Sequence, residues 1–540
     1  MFTSAQIAAL QSTLSDDLRQ FLPELIVVSG IVLFLLIRLF KAFDRTHLGG
    51  PAIAVLGAAL AVAAYSFDQT SGTLRSTSFF GQMIGADTFA GFARTLVLAA
   101  ALLTVVLTRL TGIPDRLDSG DFYTLLLGST LGMLLMVSAN HLLMVFIGVV
   151  MASLPSYAMA GLLKGRRKGS EAALKYVVFG AAASGVMLYG ISLLAGTFGT
   201  GFLPDVMAAA ARRLGTHHGF DPLFLTGITL LFVGLGFKLA AVPFHFWCPD
   251  VFEGAAAEVA GFLSVASKAA AVVLTLRIVL TLQGALAADP ATGPGGAFFL
   301  PETVGIAIGI VGAVTVTLGN LAAFGQTNLK RLLAYSTIAH AGYMMLGIAA
   351  LTSAAASAVL YYLVAYLFMN LGAFAVVALI RNATGSEELS AARGLVWRSP
   401  VLAVTMALFL FSLLGFPPLA GFAGKFQVFA AVYQAGREAS AANHPVLGSA
   451  LTVFLAIGAI NTALSAYYYL RIVREMLLEG DPTATTTAIR NPAASAYLTF
   501  MAAVLVALGV VWNPLVGATE RAVGAFKLTG LAQSTRTGGG

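Results

Sequence analysis

The chain has 540 residues, 58% of them hydrophobic and only 10% charged, with a mean hydropathy of +0.87. Soluble domains carry about 25% charged residues, so a soluble globular fold is excluded; a membrane β-barrel is excluded too, because the apolar runs do not alternate with polar residues. The net charge of +7 does not mark a nucleic-acid binder, since the charges fall mostly in short loops, and the single cysteine, Cys248, leaves no internal disulfide and no Cys-ligated cluster or zinc site.

The N-terminal stretch MFTSAQIAALQSTLSDDLRQFLPE has no basic region leading into a cleavable apolar core, so the first apolar run is expected to be a true span. Runs of roughly 20 residues, the length that crosses a bilayer, follow at 22–41, 51–67 and 88–109, which make an N-terminal three-helix segment within 1–121. The next five, at 122–138, 141–163, 172–197, 223–247 and 256–283, fill a unit spanning 122–283. Five more, at 303–324, 331–350, 354–380, 399–433 and 447–475, fill 303–475, and a last run at 494–516 lies in the C-terminal part, 476–540. The fold class expected is an all-α polytopic membrane protein with about fourteen transmembrane helices.

The two five-span units are copies. Span 7 is interrupted by Pro243 and span 12 by GFPPLAGFAGKF, five spans later. Span 6 opens AALKYVVFG and span 11 opens AVLYYLVAY, at the same offset. An odd number of spans per unit forces the copies into opposite orientations, the inverted-repeat plan in which ions are handled where broken helices meet near the midplane. The loops after odd-numbered spans hold 17 lysines and arginines, against about 9 on the other side. The positive-inside bias then puts both termini outside and KGRRKG inside.

Five cations fall within spans: Lys175, Lys238, Lys268, Arg277 and Lys425. Pro243 removes the donor for the carbonyl of Leu239, and an unsatisfied backbone group in lipid costs several kcal/mol, so the break should be buried in protein or hydrated. Lys238 lies beside it. An ammonium at the bilayer centre costs about 2.5–3.5 kcal/mol on insertion scales; water at the break lowers that cost, and desolvation favours the neutral amine, so the group can load and release protons. The alternative is a snorkelling lysine. Lys425 follows the double proline of span 12 and reads the same way, nearer an exit. Lys268 is central in span 8, and Glu258, the nearest acid on that span, is ten residues away; Glu253 is expected in the preceding loop. His340 is central in span 10, as a proton relay or as a hydrogen-bonded core group. Lys175 stands four residues after Glu171, as a channel group or an ordinary helix-end ion pair. The GxxxG in GIAIGIVG permits close helix packing. Without a dinucleotide fingerprint, a Walker lysine or a Cys/His cluster, no cofactor or metal site is expected in this chain.

The stretches GFKLAAVPFHFWCPDVFEGA, FLSVASKAA, GNLAAFGQTNLKRLLAYSTIAHAGYMMLG and GFPPLAGFAGKF resemble subunit N of the proton-translocating NADH–quinone oxidoreductase, respiratory complex I, across nearly all fourteen spans. The resemblance implies a membrane-arm subunit that couples electron transfer in other subunits to proton movement through Lys175, Lys238, Lys268, His340 and Lys425. It places NADH, FMN, iron–sulfur clusters and quinone in partner subunits. It also implies neighbouring antiporter-like and small membrane subunits as partners, a bacterial inner membrane as location, and no nucleic acid. One position departs. Where the family has a glutamate in span 5, FIGVVMASLPSY carries Val150, which predicts a weakened inner half-channel unless a neighbouring subunit supplies a carboxylate. Two other readings stand beside this one: a subunit of a multisubunit cation/proton antiporter or membrane-bound hydrogenase, and a structural spacer that braces the membrane arm.

Overall fold

A computed structural model describes residues 13–40, 46–70, 77–112, 114, 119–163, 165–217, 221–288, 301–480 and 491–536. The chain is nearly all helix. Its N-terminal part holds α1 (Thr13–Gln20), α2 (Leu22–Arg38), α3 (Gly49–Thr70), a short antiparallel hairpin β1 (Thr77–Phe79) and β2 (Ile84–Ala86), and α4 (Thr88–Thr111). The first five-span unit is α5 (Ser119–Ser138), α6 (Leu142–Ala160), α7 (Arg167–Phe198), the connecting α8 (Leu203–His217), α9 (Pro222–Leu239), α10 (Trp247–Gly254), α11 (Ala257–Phe262) and α12 (Lys268–Ala288). A π-helical turn, Leu263–Ser267, joins the last two. The second unit is α13 (Ile306–Ala323), α14 (Leu329–Ile348), α15 (Ser353–Thr384), the short α16 (Leu395–Arg398), α17 (Pro400–Leu414), α18 (Ala420–Ala441) and α19 (Pro445–Leu477). Two helices close the chain, α20 (Pro492–Val510) and α21 (Asn513–Arg536).

The units share a plan in their principal helices. Each opens with a tightly packed pair, α5 on α6 and α13 on α14. Glycine makes both approaches possible: a Cβ on Gly132 would strike the backbone of Met151 and Ala152, and one on Gly342 would strike the backbone of Val316. Small residues at such contacts let backbones close and dispersion forces act without a hydrophobic drive. The GxxxG at the start of α13 also sits at close contacts, with Gly309 against the Phe454 ring and Gly305, just before the helix, against the carbonyl of Ala349. The third helix is 32 residues in both units, α7 and α15. The fourth span is broken in both: α9 ends at Leu239 before the Pro243 connection, and α17 ends at Leu414 before Pro417–Pro418.

Among the described residues eleven helices are long and apolar enough to cross a membrane, or twelve with the bent pair α1–α2. The remaining two of the fourteen expected runs are α14 and the broken pair α17–α18. A break leaves α17 only 15 residues long. α14 has 18 of its 20 residues buried, and a helix enclosed by protein needs no lipid-compatible surface.

Several features were not expected. The hairpin β1–β2 sits beside the α5–α6 turn, where Ile84 pairs with Ala139. α8 fills what reads as a loop in sequence; Leu203, Val206, Met207, Ala210 and Ala211 are buried, and the helix lies on α12. After the break the chain forms the short helix α10 between two spans, so Glu253 is on a helix and not in a loop. α21 lies on α4, α12 and α15, with the Thr88 hydroxyl donating to the carbonyls of Arg521 and Ala522, each at 3.1 Å. Of the loop charges behind the expected orientation, Lys41, Arg45, Arg116, Lys164 and Arg490 lie outside the described residues, as do both chain ends.

Candidate functional site

Lys238 sits in the last turn of α9, 1% exposed, and its Nζ has no hydrogen-bond partner. The helix ends where proline predicts. Ala240 takes a left-handed conformation (φ 54°), and the Ala240 and Ala241 amides donate to the carbonyls of Phe237 and Gly236. The Trp247 indole, stacked on Tyr176 at 4.4 Å, adds a bond to the Phe237 carbonyl at 3.1 Å. Across the break the Val242 amide donates to the Thr315 hydroxyl of α13 at 3.0 Å. Pro243 itself is exposed and lines an apolar crevice of about 410 Å³ between α9 and α13. The break is therefore buried on the lysine side only.

Lys268, 1% exposed, is the first residue after the π-helical turn, a distortion often found at functional sites; its Nζ donates to the carbonyl of Thr337 at 3.0 Å. One turn along α14 from Thr337 stands His340, also 1% exposed. Its Nδ1 is 2.5 Å from the Tyr362 hydroxyl and its Nε2 is 3.0 Å from that of Tyr469, which meets the Ser336 hydroxyl at 2.5 Å. Lys425, 4% exposed, reaches back across the second break to the carbonyls of Leu413 and Leu414, both at 3.0 Å. These are orphan groups at the C-terminus of α17, where a cation also offsets the helix dipole. The Lys425 Nζ stands 4.4 Å from the centre of the Tyr343 ring. The network continues through Asn320, which donates to Asn461 and accepts from Tyr468 at 2.9 Å. Lys268, His340 and Lys425 thus share one buried polar interior.

Lys175 stands apart from it. Its side chain is 38% exposed and bonds Glu171 at 2.7 Å and Asp250 at 2.6 Å, within a surface network that adds Lys168, Glu253 and Arg331 around a cavity of about 140 Å³. The ion-pair reading holds there, and the buried row does not include this lysine. Asp250 and Glu253 lie outside the spans. Burial pushes both carboxyls up, but hydrogen bonds from Lys175 and Arg331 to Asp250, and from Lys168 and Arg331 to Glu253, outweigh it and hold both below their usual range. Val150 is half-buried on α6 and supplies no acid; Lys238 has no ion pair.

Sequence reasoning missed the buried ion pairs. Arg381, counted as a loop charge, is 4% exposed and grips Glu258 with two bonds, 2.9 and 3.2 Å. Lys330, counted likewise, is 1% exposed and bonds the Ala255 carbonyl at 2.6 Å and Glu387 at 2.8 Å. Arg277 is held by Asp87 at 2.7 and 2.9 Å, and Arg94 by Glu24 at 2.7 Å. Each pair joins segments distant in sequence, so no local spacing announces it. The tyrosines around His340 left a weak signal, Tyr362 and Tyr366 one turn apart in AVLYYLVAY. Cys248 is buried. Among the described residues no group of three or more His, Cys, Asp or Glu side chains is placed to hold a metal.

The family described as "NADH:quinone oxidoreductase/Mrp antiporter, TM" matches residues 139–454. An Anaeromyxobacter protein named NADH-quinone oxidoreductase subunit N is 40% identical, over 94% of this chain and 96% of its own. A chain of respiratory complex I from Thermus thermophilus with bound aureothin is 32% identical, with a TM-score of 0.68 over 92% of this chain and 98% of its own. A chain of the Mrp complex from Dietzia shares the fold, with a TM-score of 0.77 at 20% identity, over 94% of this chain and 97% of its own.

Proposed function

The chain belongs to the NADH-quinone oxidoreductase subunit N family of antiporter-like membrane subunits, and from that premise we propose that it moves protons across the membrane through its buried amines and His340. Electron transfer from NADH to quinone takes place in other subunits, which hold the FMN, the iron–sulfur clusters and the quinone. The partners are neighbouring antiporter-like and small membrane subunits of complex I in a bacterial inner membrane, with both termini of this chain outside.

The observation that carries the reading is the continuous buried interior from Lys268 past His340 to Lys425. Lys268 reaches from the first unit to the Thr337 carbonyl of the second, and His340 and Lys425 lie within the second, each within reach of hydroxyls or carbonyls. Such side chains are costly in a membrane and mark ion and proton pathways. In this scheme Lys268 hands a proton toward His340, whose two nitrogens face two tyrosine hydroxyls. Lys425 receives it at the second break, and there the Leu413 and Leu414 carbonyls favour the ammonium until release. Lys238 is a switchable charge beside the first break. With Val150 at the glutamate position it lacks a carboxylate partner, which favours its neutral form and weakens the half-channel of the first unit. Unit 122–283 contributes Lys268 to the path, and unit 303–475 contributes His340 and the broken helix that carries Lys425.

The test is NADH-driven proton uptake into vesicles holding the assembled complex. Lys268→Ala and Lys425→Ala should abolish the share of uptake carried by this subunit, and Lys238→Ala should lower it. Assembled Lys268→Ala or Lys425→Ala complexes that pump at the wild-type rate would overturn the reading.

A further inference from the structure

Val150 supplies no acid on α6 and Lys238 has no hydrogen-bond partner, whereas Lys268 bonds the Thr337 carbonyl. A different set of polar residues leads to Lys268. α11, the π-helical turn and the start of α12 run antiparallel to α15 along the seam between the two units, and three levels of polar side chains climb that seam. At the bottom Glu258 is held by Arg381. Six residues further along, the Ser264 hydroxyl accepts from the Asn370 amide at 2.7 Å. At the top Lys268 lies on one side and Tyr366, one turn from Asn370, on the other. Glu258, Ser264, Asn370 and Tyr366 are all 0% exposed.

Packing alone does not explain this ladder. Asn370 Oδ1 is buried with no hydrogen-bond partner, and the Tyr366 hydroxyl, one turn away on the same helix, has at most the Thr337 side chain as a partner. Leaving such a group unmet costs about 1–3 kcal/mol, and buried polar groups of this kind are met by protein or by water. The π-helical turn falls where the ladder crosses from Glu258 to Lys268. Gly261 lies between the first two levels, where an added Cβ would meet Leu371 and Phe374 at 3.0 and 3.1 Å. The seam is therefore closed between Glu258 and Ser264 and polar above them.

We infer that the α11–α15 seam is a gated proton entrance to Lys268, closed by the Glu258–Arg381 pair and served by Ser264 and Asn370 as water-positioning residues. On opening, the Glu258 carboxylate parts from Arg381 and takes a proton from the aqueous side near Glu387. That proton passes over water held by Asn370 and Ser264 to the neutral amine of Lys268. Lys268 becomes an ammonium, Glu258 is again a carboxylate, and Arg381 reclaims it. The route bypasses Val150 and Lys238. It rests on the proposal that Lys268 carries protons.

The experiment compares Asn370→Leu, Ser264→Ala, Asn370→Ser and Lys268→Ala in assembled complex reconstituted in vesicles, reading NADH-driven proton uptake through this subunit. Asn370→Leu fills the water position and should lower uptake about tenfold or more, toward the Lys268→Ala level, as expected when a proton-transfer group is lost. Asn370→Ser, small and polar, should restore most of it, which a purely structural role would not do. Should Asn370→Leu fail to assemble, Ser264→Ala decides, since it removes the hydroxyl without adding bulk; uptake should fall. Wild-type uptake in Asn370→Leu, or in Ser264→Ala if that is the variant that assembles, overturns the seam route when Lys268→Ala is blocked. Wild-type uptake in Lys268→Ala overturns the underlying assignment instead.

Discussion

Replacing each broken-helix lysine by methionine keeps the chain length and removes the amine, and the structure predicts opposite effects on stability. Lys425 makes two bonds to the orphan carbonyls of α17; hydrogen bonds to a charged group contribute about 1.5–3 kcal/mol each, so Lys425→Met loses roughly 3–6 kcal/mol. Removing an ammonium from the bilayer centre returns about 2.5–3.5 kcal/mol, leaving a net loss between roughly zero and 3 kcal/mol. Lys238 makes no such bond. Lys238→Met therefore loses nothing and sheds the desolvation cost, a gain of about 1–3 kcal/mol even if the amine is neutral. The two variants should differ by about 3 kcal/mol. Heating the assembled complex and following retention of this subunit by native electrophoresis reads that gap as a shift of the loss temperature by about one to a few degrees. Both variants should also impair proton uptake, which makes Lys238→Met a stabilised but slower subunit, the usual trade at a functional site. If Lys238→Met is lost from the complex as early as Lys425→Met, the unpartnered state of Lys238 is wrong.

Lys238→Arg should lower NADH-driven proton uptake as much as Lys238→Ala, because a guanidinium keeps its charge at any working pH; uptake at the wild-type rate would remove the switchable-amine role. Arg381→Gln should cost about 3–5 kcal/mol by stranding Glu258 in the interior, with most of the loss recovered in Arg381→Met/Glu258→Met, as measured by subunit retention on heating. The Asp250 and Glu253 carboxyls are held below their usual range, so their contribution to stability is complete above that range and is lost as pH falls below it through the depressed values. Subunit retention in the Asp250→Asn/Glu253→Gln variant should match wild type in strong acid and trail it at neutral pH; equal retention at both would refute the network's role. Gly132→Leu should prevent assembly by forcing α6 away from α5, and normal assembly would contradict that close approach.

Membrane class, span positions, the repeat and its two breaks are legible in the sequence because the bilayer imposes them locally: about 20 apolar residues per crossing, and a proline wherever the ladder must stop. Lys238, Lys268, His340 and Lys425 are legible for the same reason, since a polar group inside an apolar run needs a cause. What each one touches is not local. His340 meets tyrosines 22 and 129 residues away, and Glu258, which reads as a candidate partner for a buried lysine, is taken by Arg381, 123 residues on. Lys330 and Arg381 read as loop charges because sequence shows only that they follow apolar runs; packing of the second unit against the first buries them. Lys175 reads as a span residue, and the first turn of α10 holds it at the surface through Asp250. Periodicity decides which faces are apolar, whereas the partner of a buried charge is decided by helix packing, where desolvation must be offset by whatever group the neighbouring helix brings.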